Sequence, residues 1–363
     1  GSPAAHRVER EELVVDPDPI LVADEIFVVE VSYHGSPAPR PHPILGSIGW
    51  QRAGDVTIVV SEPYGAHYWF PSNDHPSDKA AFSFRITVPE GTTAVASGVL
   101  VSTSTADGRT TWEWHHPDPM PTYVAAVAIG PLELVESTGP HGVVIRHAFA
   151  QSLAAGATVA FEQTAGMIAD LEAIFGPYPF DAYGALVVDA SLGFALENQT
   201  LSLFDRSIVD GSLAASLTMV HELAHHWFGN WVSPATWQDI WLNEGFATYA
   251  EALWLEHTVP GYDIDAAMRE LAAGPPLGPI GDPGSADLFT LPVYRRGALT
   301  LHALRRTMGD AGFFQLLRAW ADRYGGESAG TEDFVALATE VAGSDMRPLL
   351  EAWLHAPEMP PLP

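Results

Sequence analysis

The sequence predicts an α+β protein in which a β-rich N-terminal domain, residues 1–137, precedes a mostly helical domain, residues 138–363. Short runs of β-branched and aromatic residues fill the first part, and longer runs with an apolar period of 3.6 fill the second. The chain has 363 residues, of which 47% are hydrophobic and 17% charged. This length matches roughly two domains, and the composition excludes disorder of the whole chain.

The N-terminal part is expected to form an antiparallel sheet or sandwich. Its apolar runs are short, and Gly, Pro, Asp and Asn lie between them, which is typical of strands joined by turns. The predicted strands are Glu25–His34, Val56–Ser61, Ala80–Val88, Ala94–Ser102, Thr110–His115 and Tyr123–Val135.

The C-terminal part is expected to be mostly helical, with one strand at Ala185–Asp189 and a loop rich in Gly and Pro at Ala273–Pro283. Apolar residues recur there every three or four positions, and Gly or Pro ends several of the runs. The predicted helices are Leu153–Phe175, Leu213–Phe228, Asp239–His257, Tyr294–Met308, Ala311–Tyr324, Thr331–Val341 and Arg347–His355.

Charge and composition exclude several classes of function. Acidic residues outnumber basic ones by 45 to 17, which gives a net charge of −28, and Lys79 is the only lysine. Such a chain repels phosphate backbones, so nucleic acid is not an expected partner. The sequence also contains no run of the roughly 18 apolar residues that a membrane span needs. Since it contains no cysteine, disulfides and thiolate chemistry are excluded, and a zinc site would have to use His and carboxylates.

The residues His221-Glu222-Leu223-Ala224-His225 carry the chemistry that the sequence predicts. They lie in a predicted helix, where positions i and i+4 share a face, so both imidazoles can bind one zinc ion. Glu222 is rotated by about 100° from His221 and can accept a proton from a metal-bound water. A bare H-E-x-x-H pattern can also arise by coincidence. Here the flanking residues are apolar, and buried imidazoles and carboxylates need partners.

A catalytic zinc site needs a third protein ligand, and Glu244 is a candidate because it lies on the next predicted helix. Glu251 lies seven residues further along, on the same helical face. It is placed to accept the second N–H of a ligand imidazole.

The segment Val220 to Glu251 resembles the aminopeptidase N family of zinc metallopeptidases, gluzincins that include the leukotriene-hydrolase type. The match comprises H-E-x-x-H, a gap of eighteen residues and the Glu of N-E-G. This resemblance implies a thermolysin-like catalytic domain with one Zn²⁺ per chain. It implies His221, His225 and Glu244 as the ligands and Glu222 as the general base.

Three further matches imply residues that bind substrate. Leu192–Thr200 resembles the family's G-A-M-E-N segment, which implies that Glu197 binds the free α-amine of a peptide. Phe194 and Leu196 replace the usual Gly and Met there, and Phe194 and Ala195 are expected to line the pocket. The segment V-Y-R-R-G-A implies Tyr294 as the phenol that stabilises the oxyanion. The segments around Ser61-Glu62-Pro63 imply Glu62 as a second acid for the amine.

The implied function is a zinc-dependent aminopeptidase that uses a zinc-activated water. Its partners would be peptides with a free N-terminus. The alternatives are a broader peptidase with endopeptidase activity, an inactive zinc-binding scaffold, and an epoxide hydrolase of the leukotriene type, for which the chain shows no specific feature. Compartment and oligomeric state stay open, with cytoplasmic or secreted after removal of a leader as the two locations considered.

Five of these residues also have an ordinary structural alternative. Glu197 could cap a turn, Glu62 could be a charge at a strand end, Tyr294 could be a core aromatic, Glu251 could be solvated, and Phe194 could merely pack. Compared with the family, the N-terminal domain is expected to be incomplete and a large C-terminal helical domain is not expected. An open cleft would follow, with consequences for the length of peptide that is cut.

Overall fold

The computed structural model describes residues 3–10, 12–18 and 20–363, so residues 1, 2, 11 and 19 of the predicted β domain lie outside it. The molecule is α+β, with sheets in the N-terminal part and helices in the C-terminal part, as the sequence predicts. Strand β11 contains residues 137 and 138, and the domain boundary at that position stays a prediction. None of the helices in the described ranges combines the length and hydropathy that crossing a membrane requires.

The strands carry labels in chain order. They are β1 (Ala5–Glu9), β2 (Glu12–Asp16), β3 (Arg40–His42), β4 (Gly46–Ala53), β5 (Val56–Val60), β6 (Lys79–Pro89), β7 (Thr93–Ala96), β8 (Val99–Ala106), β9 (Arg109–Pro121), β10 (Val127–Gly130), β11 (Leu132–Thr138), β12 (Val144–Ala150), β13 (Ala182–Tyr183), β14 (Ala185–Val187), β15 (Ser202–Phe204), β16 (Ser233–Pro234) and β17 (Ser328–Ala329).

The helices are labelled in the same way. They are α1 (Ala154–Phe161), α2 (Thr164–Phe175), α3 (Leu213–Ala224), α4 (Trp241–Thr258), α5 (Ile264–Ala272), α6 (Leu291–Tyr324), α7 (Thr331–Ala342) and α8 (Arg347–His355).

Two antiparallel sheets form most of the N-terminal part, in the orders β3-β4-β5-β10-β7 and β6-β9-β8. In β6 half-buried and exposed residues alternate along most of the strand, because successive side chains of a strand point to opposite faces. The core beneath them includes Ile48, Ile58, Val95 and Trp114. It also includes Leu203 of β15, so apolar residues from both parts of the chain share one core.

A mixed sheet, in the order β11-β12-β14-β15, joins the two parts of the chain. β11 and β12 are antiparallel, whereas β12, β14 and β15 run parallel to one another. At the β15 end, Leu196 and Leu203 exchange backbone hydrogen bonds of 3.0 and 2.8 Å. This bridge fixes the chain segment around residue 196 at the edge of the sheet, next to the helices.

The helices pack on a second core that contains the large buried side chains Trp227, Trp241, Trp320, Phe313 and Phe334. α4 and α6 come closest where Gly245 faces Gly297. A Cβ atom at Gly297 would lie 2.6 Å from the Cα atom of Gly245, so only glycine allows this approach. Because Gly245 directly follows Glu244, the contact fixes one helix of the predicted metal site against α6.

The strand predicted at Glu25–His34 is wrong. This segment has no regular secondary structure and is exposed, with Ile26 96% exposed, and no strand pairs with it among the described residues. Residues of high β propensity form a strand only where a neighbour supplies the backbone hydrogen bonds. The predicted strand Ala94–Ser102 is also divided, because β7 and β8 belong to different sheets.

The predicted helices occur with altered bounds. Leu153–Phe175 contains two helices, α1 and α2, and the helix from Leu213 ends at Ala224. α6 breaks at Gly309, whose φ is 75°, which agrees with the two separate helices predicted on either side. The sequence analysis missed α5, whose exposed face carries its charged residues.

The close contact between Gly245 and Gly297 predicts that a methyl group added at Gly297 lowers the stability of the protein. Gly297→Ala should lower the free energy of unfolding by about 1–3 kcal/mol, since the added Cβ overpacks a helix interface. Urea unfolding measures this change. Gly166→Ala in α2 is the matched control, because a Cβ there meets nothing within 4 Å among the described residues. It should be neutral or stabilising by about 0.5–1 kcal/mol. Equal stability of the two variants would contradict the prediction.

Candidate metal centre and substrate cleft

Three helices bring the predicted site residues together. α3 begins after Ser212, whose hydroxyl oxygen accepts a hydrogen bond of 3.1 Å from the Ala215 N–H. Towards its C-terminal end α3 presents His221 and, one turn later, His225. α4 supplies Glu244 in its first turn and Glu251 two turns later, and α6 supplies Tyr294 near its start.

The imidazoles of His221 and His225 converge on one carboxylate oxygen. Nε2 of His221 lies 3.3 Å from Oε2 of Glu244, and Nε2 of His225 lies 3.5 Å from the same atom. Two ligand atoms at ~2.0–2.1 Å from a tetrahedral ion are roughly 3.3–3.4 Å apart. The spacing of these three side chains therefore fits one small divalent ion.

The remaining nitrogen of each imidazole is already engaged. Nδ1 of His225 donates to the Phe228 carbonyl oxygen at 3.1 Å, and Nδ1 of His221 donates to Glu251 at 2.8 Å. The lone pairs of both Nε2 atoms consequently point towards Oε2 of Glu244. Three lone pairs in one place repel unless a cation, either a proton or a metal ion, lies between them.

The protonation states of the three side chains reflect this requirement. Burial alone would lower the pKa of His225, but the charges of Glu197 and Glu244 raise it to about 9. Hydrogen bonds with Glu244 and Glu251 likewise outweigh burial and raise the pKa of His221 well above its ordinary value. For Glu244, burial is outweighed by the charges and hydrogen bonds of His225 and His221, which lower its pKa to about 2.

Glu222 lies beside this cluster and is buried. Burial raises its pKa, the histidines His221 and His225 lower it, and Glu197 and Glu244 raise it again, which gives a value of about 8. A carboxyl group with such a pKa can accept and release a proton near neutral pH. Its oxygen also lies close enough to Glu197 and His225 for the three to share an ion.

Glu62 and Glu197 form a second concentration of buried negative charge. Each is 3% exposed, and Oε1 of each has no hydrogen-bond partner within the part of the chain that the structure describes. Burial and the charge of Glu197 raise the pKa of Glu62 well above its ordinary value. Buried carboxylates without partners suit a cationic ligand that supplies the missing hydrogen bonds. Both side chains are buried, so neither is a solvated surface charge.

The segment that carries Glu197 is held from several sides. Its neighbour Leu196 is bridged to β15, and Nδ2 of Asn230 donates to the Glu197 carbonyl oxygen at 2.7 Å. The Thr200 N–H donates to Nε2 of His226 at 3.0 Å. His226 and Asn230, which follow α3 in the chain, therefore help to position the segment that carries Glu197.

Tyr294 completes one side of the site. Its ring stacks on that of His221, with a centroid distance of 5.9 Å and an interplanar angle of 20°. Burial, and then the charges of Glu244 and Glu62, raise the pKa of Tyr294 well above its ordinary value. The phenol thus keeps its proton and is available as a hydrogen-bond donor.

A cavity of about 290 Å³ contains all of these groups except Glu251. A second cavity of about 470 Å³ shares Phe194, Ala195, His221 and Glu222 with it and extends along Glu251. The structure thus brings every residue that the sequence analysis selected to one cleft. Gly193, Phe194, Ala195, His221 and Glu222 line both cavities.

Sequence reasoning missed several residues of this cleft. Ile44, Leu45 and Phe289 line the first cavity, and they come from loops without any motif. His226 and Asn230 were within the recognised segment but had no assigned role. Their types gave a signal, because polar residues in so apolar a stretch need buried partners.

Two segments of the chain match known families. Residues 53–124 match the Peptidase M1 N-terminal domain, and residues 159–275 match the Peptidase family M1 domain. The second match includes His221, His225, Glu222 and Glu244.

Similar curated proteins are aminopeptidases. Aminopeptidase N of Streptomyces lividans is 29% identical over 317 residues, which cover 79% of this chain and 36% of that protein. Aminopeptidase B of Mus musculus is 30% identical over 81% of this chain and 48% of its own length. The chain spans less than half the length of both relatives.

Similar solved structures are M1 zinc metallopeptidases. The one from Deinococcus radiodurans has a TM-score of 0.83 at 35% identity and is covered over 75% of its chain, against 91% of the present one. A mutant of the Deinococcus radiodurans protein bound to the substrate Tyr-Ser-Ala has the same TM-score, with 76% of its chain covered.

Metal binding at this centre is expected to release protons. Near pH 7 the raised pKa values keep protons on His225 and Glu222, and an imidazole must lose its proton from Nε2 to bind a metal. Calorimetric titration with Zn²⁺ in two buffers of different protonation enthalpy should show release of about one proton or more per ion. The apparent affinity should weaken as the pH falls from about 9 to about 6, because protons then compete for the same atoms. His225→Ala is the control without a site. Identical enthalpies in both buffers would contradict the prediction.

Proposed function

Because the chain belongs to the M1 family of peptidases, we propose that it is a zinc-dependent aminopeptidase that hydrolyses the N-terminal peptide bond of peptides. One observation carries the proposal. A three-residue metal-binding cluster shares a single cavity with two buried carboxylates whose Oε1 atoms have no partner among the described residues. The first cluster suits an ion that activates water, and the second suits the ammonium group of a peptide.

Zinc fits the donor set, since two imidazole nitrogens and one carboxylate oxygen are its typical ligands in hydrolytic sites of a thermolysin-like domain. His221, His225 and Glu244 would hold one ion. When bound, zinc supplies Lewis acidity, which polarises a carbonyl group and lowers the pKa of water. Glu251 and the Phe228 carbonyl fix the two rings so that Nε2 of each faces the ion position.

Glu222 is the proposed general base and acid. It takes the proton of the attacking water and then donates it to the nitrogen of the departing peptide. In the metal-free site the pKa of Glu222 is about 8, and the positive charge of a bound zinc ion would lower it, which leaves the carboxylate free to accept the proton. Its burial excludes bulk water from this transfer.

Tyr294 is the proposed stabiliser of the developing oxyanion. Its hydroxyl stays protonated because burial and four nearby carboxylates raise its pKa. A phenol that donates a hydrogen bond to the carbonyl oxygen helps most when that oxygen becomes negative. Stacking on His221 limits the orientations of the ring.

Glu197 and Glu62 are the proposed amine-binding acids. An ammonium group donates three hydrogen bonds, and these two side chains have unpaired buried acceptors for them. Holding the peptide by its first residue places the first peptide bond in the reactive part of the cavity. This contact would make the enzyme an aminopeptidase, whereas the second cavity would accept the rest of the chain.

Replacement of the general base should abolish catalysis without loss of the metal. Glu222→Gln should lower kcat by roughly 10³-fold or more, because the amide can neither accept nor return the proton. Zinc content by atomic absorption and hydrolysis of aminoacyl fluorogenic substrates measure the two properties. Glu270→Gln, at an exposed position of α5, is the matched control and should leave both unchanged. Near-normal turnover by a zinc-loaded Glu222→Gln protein would overturn the assignment.

Loss of the amine anchor should act selectively on free N-termini. Glu197→Gln should lower kcat/KM for a free peptide at least about 30-fold, which corresponds to the ~2 kcal/mol lower bound for breaking a buried charged pair. Hydrolysis of the same peptide with an acetylated N-terminus should stay unchanged. Equal cleavage of both peptides by the native protein would favour the endopeptidase alternative. Stoichiometric zinc without any turnover would favour the scaffold.

A further inference from the structure

Lys79 is the only lysine of the chain, and it connects the β-rich part to the metal-binding helix. It begins β6, yet its Nζ lies 3.0 Å from the Asn230 carbonyl oxygen and 3.0 Å from that of Trp231. A third carbonyl oxygen, that of Glu327 before β17, lies at 3.3 Å. One ammonium group therefore joins three chain segments that are far apart in sequence.

The geometry of this contact requires a lysine. An ammonium group has three N–H donors around a single nitrogen, which matches three carbonyl acceptors, whereas the guanidinium of arginine is a planar fork. Burial lowers the pKa of Lys79 to about 7, and the charge of Glu327 acts in the opposite direction. His116 also faces Lys79, and burial lowers the pKa of that histidine to about 4, which keeps it neutral. The chain thus keeps its one lysine where a charge is costly, and three hydrogen bonds together with the charge of Glu327 offset part of that cost.

The segment that Lys79 holds is the turn of residues 229–231, which begins five residues after the last residue of α3, Ala224. The Asn230 N–H donates to the His225 carbonyl oxygen at 2.9 Å, and the Asn230 side chain donates to the Glu197 carbonyl oxygen at 2.7 Å. Tyr123, from the β-rich part, donates to the Gly229 carbonyl oxygen at 2.7 Å. The position of this turn therefore sets the position of the segment that carries the proposed amine anchor.

We propose that Lys79 is a positioning residue for the substrate amine. Its ammonium group fixes the 229–231 turn, and Asn230 transmits that position to Glu197. The inference rests on the proposed function, because it assigns Glu197 to the peptide ammonium. Lys79 lines neither of the two cavities and is not part of the three-residue metal cluster, so its loss should weaken binding of the free amine and leave the chemical step intact.

The variant Lys79→Met tests this inference, because methionine fills the space but donates no hydrogen bond. KM for aminoacyl substrates should rise about tenfold, while kcat and zinc content change less than about twofold. Lys79→Arg, which keeps the charge but not the three-carbonyl geometry, should give a smaller rise. Arg85→Met is the matched control, since it removes a positive charge from the same strand at an exposed position. It should leave KM unchanged.

A binding measurement separates this inference from the proposed function. Calorimetry measures the Kd of the zinc-loaded protein for L-tryptophan, a free amino acid. This Kd should rise about tenfold in Lys79→Met, because the variant no longer positions the residue that binds the amine. If the native protein binds L-tryptophan but cleaves no substrate, the proposed function fails while the Lys79 inference is still decided by the Kd. If native and Lys79→Met proteins share the same KM and the same Kd, the inference is wrong.

Two further measurements test whether Lys79 acts on Glu197 through Asn230 and whether hydrogen bonds hold its ammonium group. Asn230→Ala and Lys79→Met should be non-additive in their effects on KM, because both act through the same turn. Additive effects would contradict the route through Asn230.

Labelling with ¹⁵N-lysine gives a single side-chain resonance, which should show slowly exchanging protons. Exchange as fast as that of free lysine would overturn the premise even if Lys79→Met fails to fold.

Discussion

The repulsion between converging lone pairs is the constraint on which the site depends. Two imidazole nitrogens face one oxygen of Glu244 at 3.3 and 3.5 Å, and all three side chains are largely buried. Since their other nitrogens donate to Glu251 and to the Phe228 carbonyl, the rings cannot turn away. A cation has to occupy the space, and the raised pKa values of the histidines describe how protons meet this need without a metal.

The same principle organises the rest of the cavity. Burial makes each carboxylate costly, so every one of them needs a positive partner. Glu244 has the two histidines, whereas Glu62 and Glu197 each keep an oxygen without a partner among the described residues, which the proposed function assigns to a substrate ammonium. Glu222 lies between these two regions, and opposing charges leave its pKa near 8. Within one buried acidic cluster, Glu244 is thus suited to bind a metal, Glu222 to carry a proton, and Glu62 and Glu197 to bind an amine.

Much of this could be predicted from the sequence because its signals are local. The i, i+4 spacing of His221 and His225 fixes their common face on any helix, and the long apolar periods predict the helices that contain them. The strand at Glu25–His34 was predicted wrongly for the opposite reason. Its β propensity is a local property, but a strand exists only when another segment pairs with it, and no pattern within the segment reveals that.

The sequence by itself determined which side chains can bind a metal, move a proton or pair with an amine, since these properties belong to residue types and to spacings along one helix. Only the tertiary structure decided how α4 and α6 approach through Gly245 and Gly297, and that Lys79 reaches the turn after the metal-binding helix. Such contacts join residues separated by 52 to 151 positions. They depend on the packing of whole helices and sheets, which no local pattern specifies.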